Sequence, residues 1–80
     1  MTTVKAVALK VSELLIHKKM TRYQLCRKIA MPETTLMHIL HEDNKRIYLD
    51  TIILLAEGLD MTIQEFFNCD LFNNSNLEIN

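Results

Sequence analysis

Residues that break or crosslink a protein chain are scarce in this sequence. Its 80 residues include one glycine, one proline, two cysteines and no tryptophan. So few cysteines argue against a small scaffold held by disulfides, and so few glycines and prolines argue against a loop-rich fold. With 49% apolar residues, the composition instead predicts one compact, helix-rich domain that leaves no room for a second.

Patterns typical of membrane proteins and enzymes are also absent from the sequence. It has no signal peptide and no apolar run of about 18 residues, so we expect a cytoplasmic protein without a membrane partner. Cys26 and Cys69 lie on predicted helices without metal-ligand spacing, and we expect free thiols, with Cys26 in the core. Glycine-rich phosphate loops and Ser-His-Asp or Cys-His arrangements are missing, so we expect no enzymatic activity, cofactor or small-molecule substrate.

Charge is nearly balanced over the whole chain but unevenly distributed along it. Nine Lys and Arg oppose ten Asp and Glu, and the resulting net charge of −1 argues against a strongly basic nucleic-acid binder. However, residues 1–28 contain seven of the nine basic side chains, whereas residues 50–80 contain six acids and no base. The chain is therefore electrically polarised, and this distribution matters more than the total.

Residues 20–41 have the pattern of two short amphipathic helices joined by a tight turn. Thr21 and Gln24 predict a capping box, because a threonine and a glutamine three residues apart can each bind the other's free backbone N–H group. An inward apolar stripe comes next at helical spacing, formed by Leu25, Cys26 and Ile29. The outer face of this first helix is cationic.

The second helix of the pair begins near Pro32, which lacks an N–H group and fits only the opening of a helix. Its apolar side is formed by Leu36, Ile39 and Leu40. The opposite and flanking sides carry Glu33, Thr34, Met37, His38 and His41. A helix held rigidly on one side and exposed on the other is suited to reading DNA.

Three further helices complete an all-α chain. Apolar residues recur at helical spacing from Thr3 to His17, from Leu49 to Leu59, and after Thr62, which forms a second predicted capping box with Glu65. Beyond Asp70 the sequence is rich in asparagine, which is typical of a tail. We therefore expect a folded domain over residues 1–70 and a polar C-terminal tail over residues 71–80.

Together these features resemble the phage repressor and Cro family of helix-turn-helix domains, over residues 3–67. The matching segments are Met20-Thr21, Leu25-Cys26, Ile29 before the turn, Pro32 to Leu36, Leu49 to Ile52 and Leu59 to Thr62. The resemblance implies a compact five-helix, lambda-repressor-like fold in which helices two and three form the helix-turn-helix. Ala30 stands where the family often has glycine, and Asn44 is expected to supply a left-handed conformation in the next loop.

The resemblance also implies function: a transcriptional regulator, usually a repressor, that binds double-stranded operator DNA as a homodimer with helix three in the major groove. Polar side chains on the exposed face of that helix would reach the base edges. The base-reading candidates are Glu33, Thr34, His38 and Met37, with Thr35 and His41 as second choices. We expect His38 to donate to guanine and Met37 to pack on a thymine methyl.

The same resemblance implies two further sets of residues. Side chains at the start and near the end of helix two and in the loop after helix three are expected to bind phosphates: Thr21, Arg22, Lys28, Lys45 and Arg46. Family members pair through helix five and the segment after it, so the dimer candidates are Phe66, Phe67, Leu71 and Phe72.

Plainer interpretations stay open for several of these residues. Glu33 can simply complement the positive end of its helix. His38 and His41 are three apart, as metal ligands often are, but the order is not that of a zinc motif and no third ligand is evident, so we expect no metal site. The same fold could also serve as an adaptor or antirepressor that binds proteins through its acidic C-terminal half or through Leu71, Phe72, Leu77 and Ile79.

Overall fold

The computed structural model describes residues 1–77 and contains five α-helices, which confirms the predicted all-α class. They are α1 (Thr3–His17), α2 (Arg22–Ile29), α3 (Glu33–Leu40), α4 (Leu49–Gly58) and α5 (Ile63–Phe67), followed by a 3-10 helix (Asp70–Phe72). Helix α1 packs against α3 and the 3-10 helix, α2 packs against α3 and α4, and α4 packs against α5. Helix α3 is therefore supported by both α1 and α2.

All five helices contribute to one hydrophobic core. Val11 of α1, Leu25 of α2, Leu36 of α3, Leu55 of α4 and Phe66 of α5 are completely buried. For α1 to α4 the buried residues recur at helical spacing, so the amphipathic pattern of the sequence explains their packing, whereas Phe66 was predicted to lie at a dimer interface. The predicted core position of Cys26 is also confirmed, and both Cys26 and Cys69 are free thiols.

Side-chain hydrogen bonds cap the starts of α2 and α5, whereas α3 begins after a proline without such a cap. The Thr21 hydroxyl accepts the N–H of Gln24 at 3.0 Å, and the Gln24 side chain accepts the N–H of Thr21 at 2.8 Å. This is the predicted capping box, and a second forms between Thr62 and Glu65 at the start of α5. Pro32 occupies the cap position before α3, one residue earlier than the first helical residue.

Four residues other than glycine adopt left-handed backbone conformations and end or join helices. Ala30 has a φ of 53° at the end of α2, at the position where the resembled family often has glycine, and Asp60 has a φ of 59° between α4 and α5. The expectation for Asn44 was wrong, because Glu42, with a φ of 58°, makes the left-handed turn after α3. Lys19, at 54°, makes the turn after α1.

Helices α2 and α4 approach each other closely at Gly58. A Cβ atom placed on this glycine would lie 2.5 Å from Cγ2 of Ile29 and 2.6 Å from Cδ1 of Leu25. A contact under 3 Å forces the neighbouring atoms to move, so any larger residue here would have to displace the side chains of Ile29 and Leu25. The first helix of the helix-turn-helix is thereby fixed against the rest of the core.

Three apolar side chains of the segment predicted as a polar tail, residues 71–80, are partly buried against the domain, while residues 73–76 are exposed. The Phe72 ring lies 4.8 Å from that of Phe67 in an edge-to-face arrangement, and the N-terminal ammonium of Met1 donates to the backbone carbonyl of Asn76. Phe72 joins Phe66 and Phe67 in a cluster of rings. Burial of this apolar area favours packing more than the asparagine-rich composition favours exposure to solvent. Leu71, Phe72 and Leu77 are thus half-buried, and Ile79 lies outside the described residues.

Candidate nucleic-acid interface

Helix α3 presents a continuous outer face to solvent. Leu36 and Ile39 are buried and anchor its inner side. All four predicted base-reading residues are exposed on the other sides, as are both second-choice residues: Glu33, Thr34, Met37 and His38, with Thr35 and His41. Even the apolar side chain of Met37 is 41% exposed. The geometric condition for a recognition helix, an exposed face on a rigid base, is therefore fulfilled.

The end of α3 is closed by a hydrogen-bonded turn. Glu42 adopts the left-handed conformation and its N–H donates to the carbonyl of Ile39 at 3.1 Å, while the N–H of Asp43 donates to the carbonyl of His38 at 3.0 Å. This pair of bonds is a Schellman motif. It turns the chain back over the last turn of α3, so that Asp43 lies beside His38, with 2.8 Å between its Oδ2 and the ring Nδ1.

Basic side chains lie on both sides of α3. Arg22, at the start of α2, borders a shallow depression together with His41. Lys45 and Arg46 border a groove on the other side, where they are near Thr35. All three cations are exposed, as are the acidic side chains of Glu33, Glu42 and Asp43 on and next to α3. Cations on both flanks of the helix are positioned to meet phosphates, while the acids close to its outer face reduce the local positive charge.

Two cations of α2 have partners within the protein. The Lys28 ammonium donates to Oδ1 of Asp60 at 2.7 Å, and this bond and charge lower the pKa of the Asp60 carboxyl. Arg27 donates to the Tyr23 hydroxyl at 3.3 Å and lies 5.7 Å from the centre of its ring. A phosphate would therefore compete with Asp60 for Lys28, whereas Arg22 has no such carboxylate partner among residues 1–77.

The aromatic cluster proposed for dimerisation is divided between core and surface. Phe66 is completely buried, so including it among the contact residues was wrong: a fully packed ring cannot touch a second copy. Phe67, Leu71 and Phe72 are half-buried and retain some exposed area. A different apolar surface, which was not predicted from the sequence, lies at the start of α4. There the side chain of Tyr48 is 81% exposed and that of Leu49 is 59% exposed.

Two other features of the described chain concern metal and membrane. Within residues 1–77, no three His, Cys, Asp or Glu side chains are arranged to hold a metal ion, and His38 pairs with Asp43 instead. Within the same residues, each helix is too short or too polar to cross a bilayer.

A capped helix-turn-helix whose second helix is exposed between basic side chains defines a DNA-binding domain of the helix-turn-helix class. The sequence matches the Cro/C1-type helix-turn-helix DNA-binding domain over residues 10–71, and the chain belongs to this family. This confirms the resemblance drawn from the sequence. The protein is therefore a DNA-binding regulator of transcription.

Comparison of structures supports the same fold. The chain is similar to the crystal structure of the wild-type restriction-modification controller protein C.Esp1396I, with a TM-score of 0.77 and 18% sequence identity. The match covers 96% of this chain and 95% of that chain. No curated protein matches the sequence.

Proposed function

We propose that this protein is a sequence-specific, non-enzymatic repressor that binds operator DNA as a homodimer with α3 in the major groove. One observation carries the proposal: the outer face of α3 is exposed and has Arg22 on one side and Lys45 and Arg46 on the other. An α-helix fits the major groove, and cations on its flanks then meet the two phosphate backbones. The structural neighbour is named a controller protein, which is compatible with a regulatory role.

In this arrangement the side chains of α3 make different contacts with DNA, according to their position on the helix. Thr34 and His38 are the principal base readers, and Met37 packs on a thymine methyl group. Glu33 lies in the first turn of α3 without a side-chain partner among residues 1–77. It can accept from a cytosine amino group, although it also complements the helix dipole there.

The phosphate contacts come from the residues around α3. Arg22, Lys45 and Arg46 supply charge, and the free N–H groups at the start of α2, next to Thr21, add directed hydrogen bonds. Lys28 joins this set only by exchanging Asp60 for a phosphate oxygen. These contacts fix the position of α3 without specifying the sequence.

Selection from a library of randomised DNA duplexes tests the proposal. We expect a palindromic site whose binding weakens steeply with salt. Arg22→Ala should weaken binding to all duplexes about threefold to tenfold and reduce the salt slope by about 1, because one phosphate contact is lost. Arg27→Ala is the matched control, since it removes the same charge from α2 at a residue engaged with Tyr23.

His38→Ala should instead change which bases are preferred at one position in each half-site. Absent binding, or binding that does not respond to salt, would contradict DNA reading and favour the adaptor function. Placing the selected site across a promoter then tests repression, since an increase in expression would mean activation.

A further inference from the structure

We infer that Asp43 is a positioning residue that fixes the tautomer of His38 and thereby determines which base edges His38 can read. This inference rests on the proposed function, because it concerns the specificity of α3 on DNA. Its direct observation is the pair formed by the ring Nδ1 of His38 and the carboxylate Oδ2 of Asp43, 2.8 Å apart.

The chemistry of the two groups assigns the proton. An ionised carboxylate can only accept hydrogen bonds, so the ring nitrogen that faces it must carry the hydrogen. In the neutral ring the other nitrogen, Nε2, then has a free lone pair and acts as an acceptor. Among residues 1–77 no hydrogen bond engages Nε2, and the His38 side chain is 60% exposed.

The backbone holds the carboxylate in this position. Asp43 is joined to His38 twice, once through its side chain and once through its N–H, which donates to the His38 carbonyl at 3.0 Å. The second bond belongs to the Schellman motif that ends α3, with Glu42 in the left-handed position. The contact is therefore built into the turn and does not depend on a chance meeting of two long side chains.

An outward-facing acceptor selects for donor groups on DNA. In the major groove these are the amino groups of adenine N6 and cytosine N4, whereas guanine presents acceptors at O6 and N7. His38 should therefore prefer adenine or cytosine, which reverses the guanine contact expected from the sequence. Histidine type alone could not decide this, because a neutral imidazole can present either a donor or an acceptor.

Nitrogen-15 NMR of the His38 ring in the full-length protein without DNA tests the tautomer. The spectra are recorded at pH 8.5, above the range in which histidine ordinarily gains its charge. We expect the wild type to carry hydrogen on Nδ1, and Asp43→Ala to shift the population toward hydrogen on Nε2. Glu42→Gln is the matched control, because it removes the neighbouring charge without touching the ring.

Selection from randomised duplexes at the same pH tests the reading. The wild type should prefer adenine or cytosine at the position that His38→Ala identifies, and Asp43→Ala should reduce that preference about threefold to tenfold, as for one hydrogen bond. Glu42→Gln should keep the preference. When His38 is already alanine, Asp43→Ala should not change the base preference at this position further, because Asp43 acts on the base only through the His38 ring.

Hydrogen on Nε2 in the wild type would overturn the inference whatever the DNA result. A guanine preference in the wild type would also overturn it, as would an adenine or cytosine preference that Asp43→Ala leaves unchanged. If neither the wild type nor any variant selects a duplex, the proposed function is wrong and so is the proposed base preference. The NMR spectra decide independently whether Asp43 sets the tautomer of His38.

Discussion

Ala30 holds the turn between α2 and α3 in a conformation that is costly for an L-amino acid. Its φ of 53° and ψ of 40° are left-handed, and there the methyl group crowds the neighbouring carbonyl. We predict that Ala30→Gly raises the free energy of unfolding by about 0.5–1 kcal/mol, since the relief of crowding exceeds the added chain entropy of glycine. Urea denaturation followed by circular dichroism measures this change.

Ala56→Gly is the control for that measurement. Ala56 lies in the right-handed backbone of α4, where the same substitution should lower the free energy of unfolding by at least about 1 kcal/mol. Opposite signs at the two positions would show that backbone conformation decides the effect. A loss of stability in both variants would contradict the strain assigned to Ala30.

Side-chain contacts could be predicted from the sequence where they depend only on the spacing of two residues along the chain. The capping box of Thr21 and Gln24 needs two suitable residues three apart, and it formed as expected. The Lys28–Asp60 ion pair joins residues 32 apart, and the His38–Asp43 contact depends on which loop residue turns left-handed. Spacing alone does not say whether Glu42 or Asp43 faces the ring.

Among the helices, the contact between α2 and α4 depends on the absence of a side chain at Gly58. We predict that Gly58→Ala lowers the free energy of unfolding by about 1–3 kcal/mol, because the new methyl group overlaps Ile29 and Leu25 in a filled core. This loss should exceed the gain of about 1 kcal/mol from better helix propensity. Denaturant titration measures the net effect.

Glu57→Ala, at the adjacent exposed position of α4, provides the control and should change stability by less than about 0.5 kcal/mol. A Gly58→Ala variant as stable as the wild type would mean that the side chains of α2 move aside freely. As a residue type near the end of a helix, Gly58 by itself indicates only a weak helix end. Its role in helix packing needed the tertiary structure, because spacing within α4 does not say which residue meets α2.

Over the whole molecule, the basic side chains that border α3 are not the group that the sequence order suggests. The predicted concentration of basic residues in the first 28 residues includes Lys28, which pairs with Asp60, and Arg27, which is engaged with Tyr23. The side chains beside α3 come from two separate segments, around Arg22 and around Lys45. Folding brings these segments to the same helix, and no linear charge count could show that.

The size of the domain links DNA binding to self-association. Its extents are 33 × 24 × 21 Å, so one copy covers about one half-site, and two copies side by side can match half-sites about 34 Å apart. A single domain of this size reads too few bases for useful specificity in a genome. The proposed homodimer meets this requirement, and its contact surface is expected at Phe67, Leu71 and Phe72.

We predict that sedimentation equilibrium at high micromolar concentration shows a dimer for the wild type and a monomer for Leu71→Asp, because a buried, unpaired carboxylate at an interface is costly. Leu49→Asp places the same charge on the exposed surface of α4 and should leave the dimer intact. Helical circular dichroism must be retained in both variants for the comparison to hold. If Leu49→Asp alone dissociates the protein, the interface lies on α4. A monomeric wild type at this concentration would contradict the predicted homodimer.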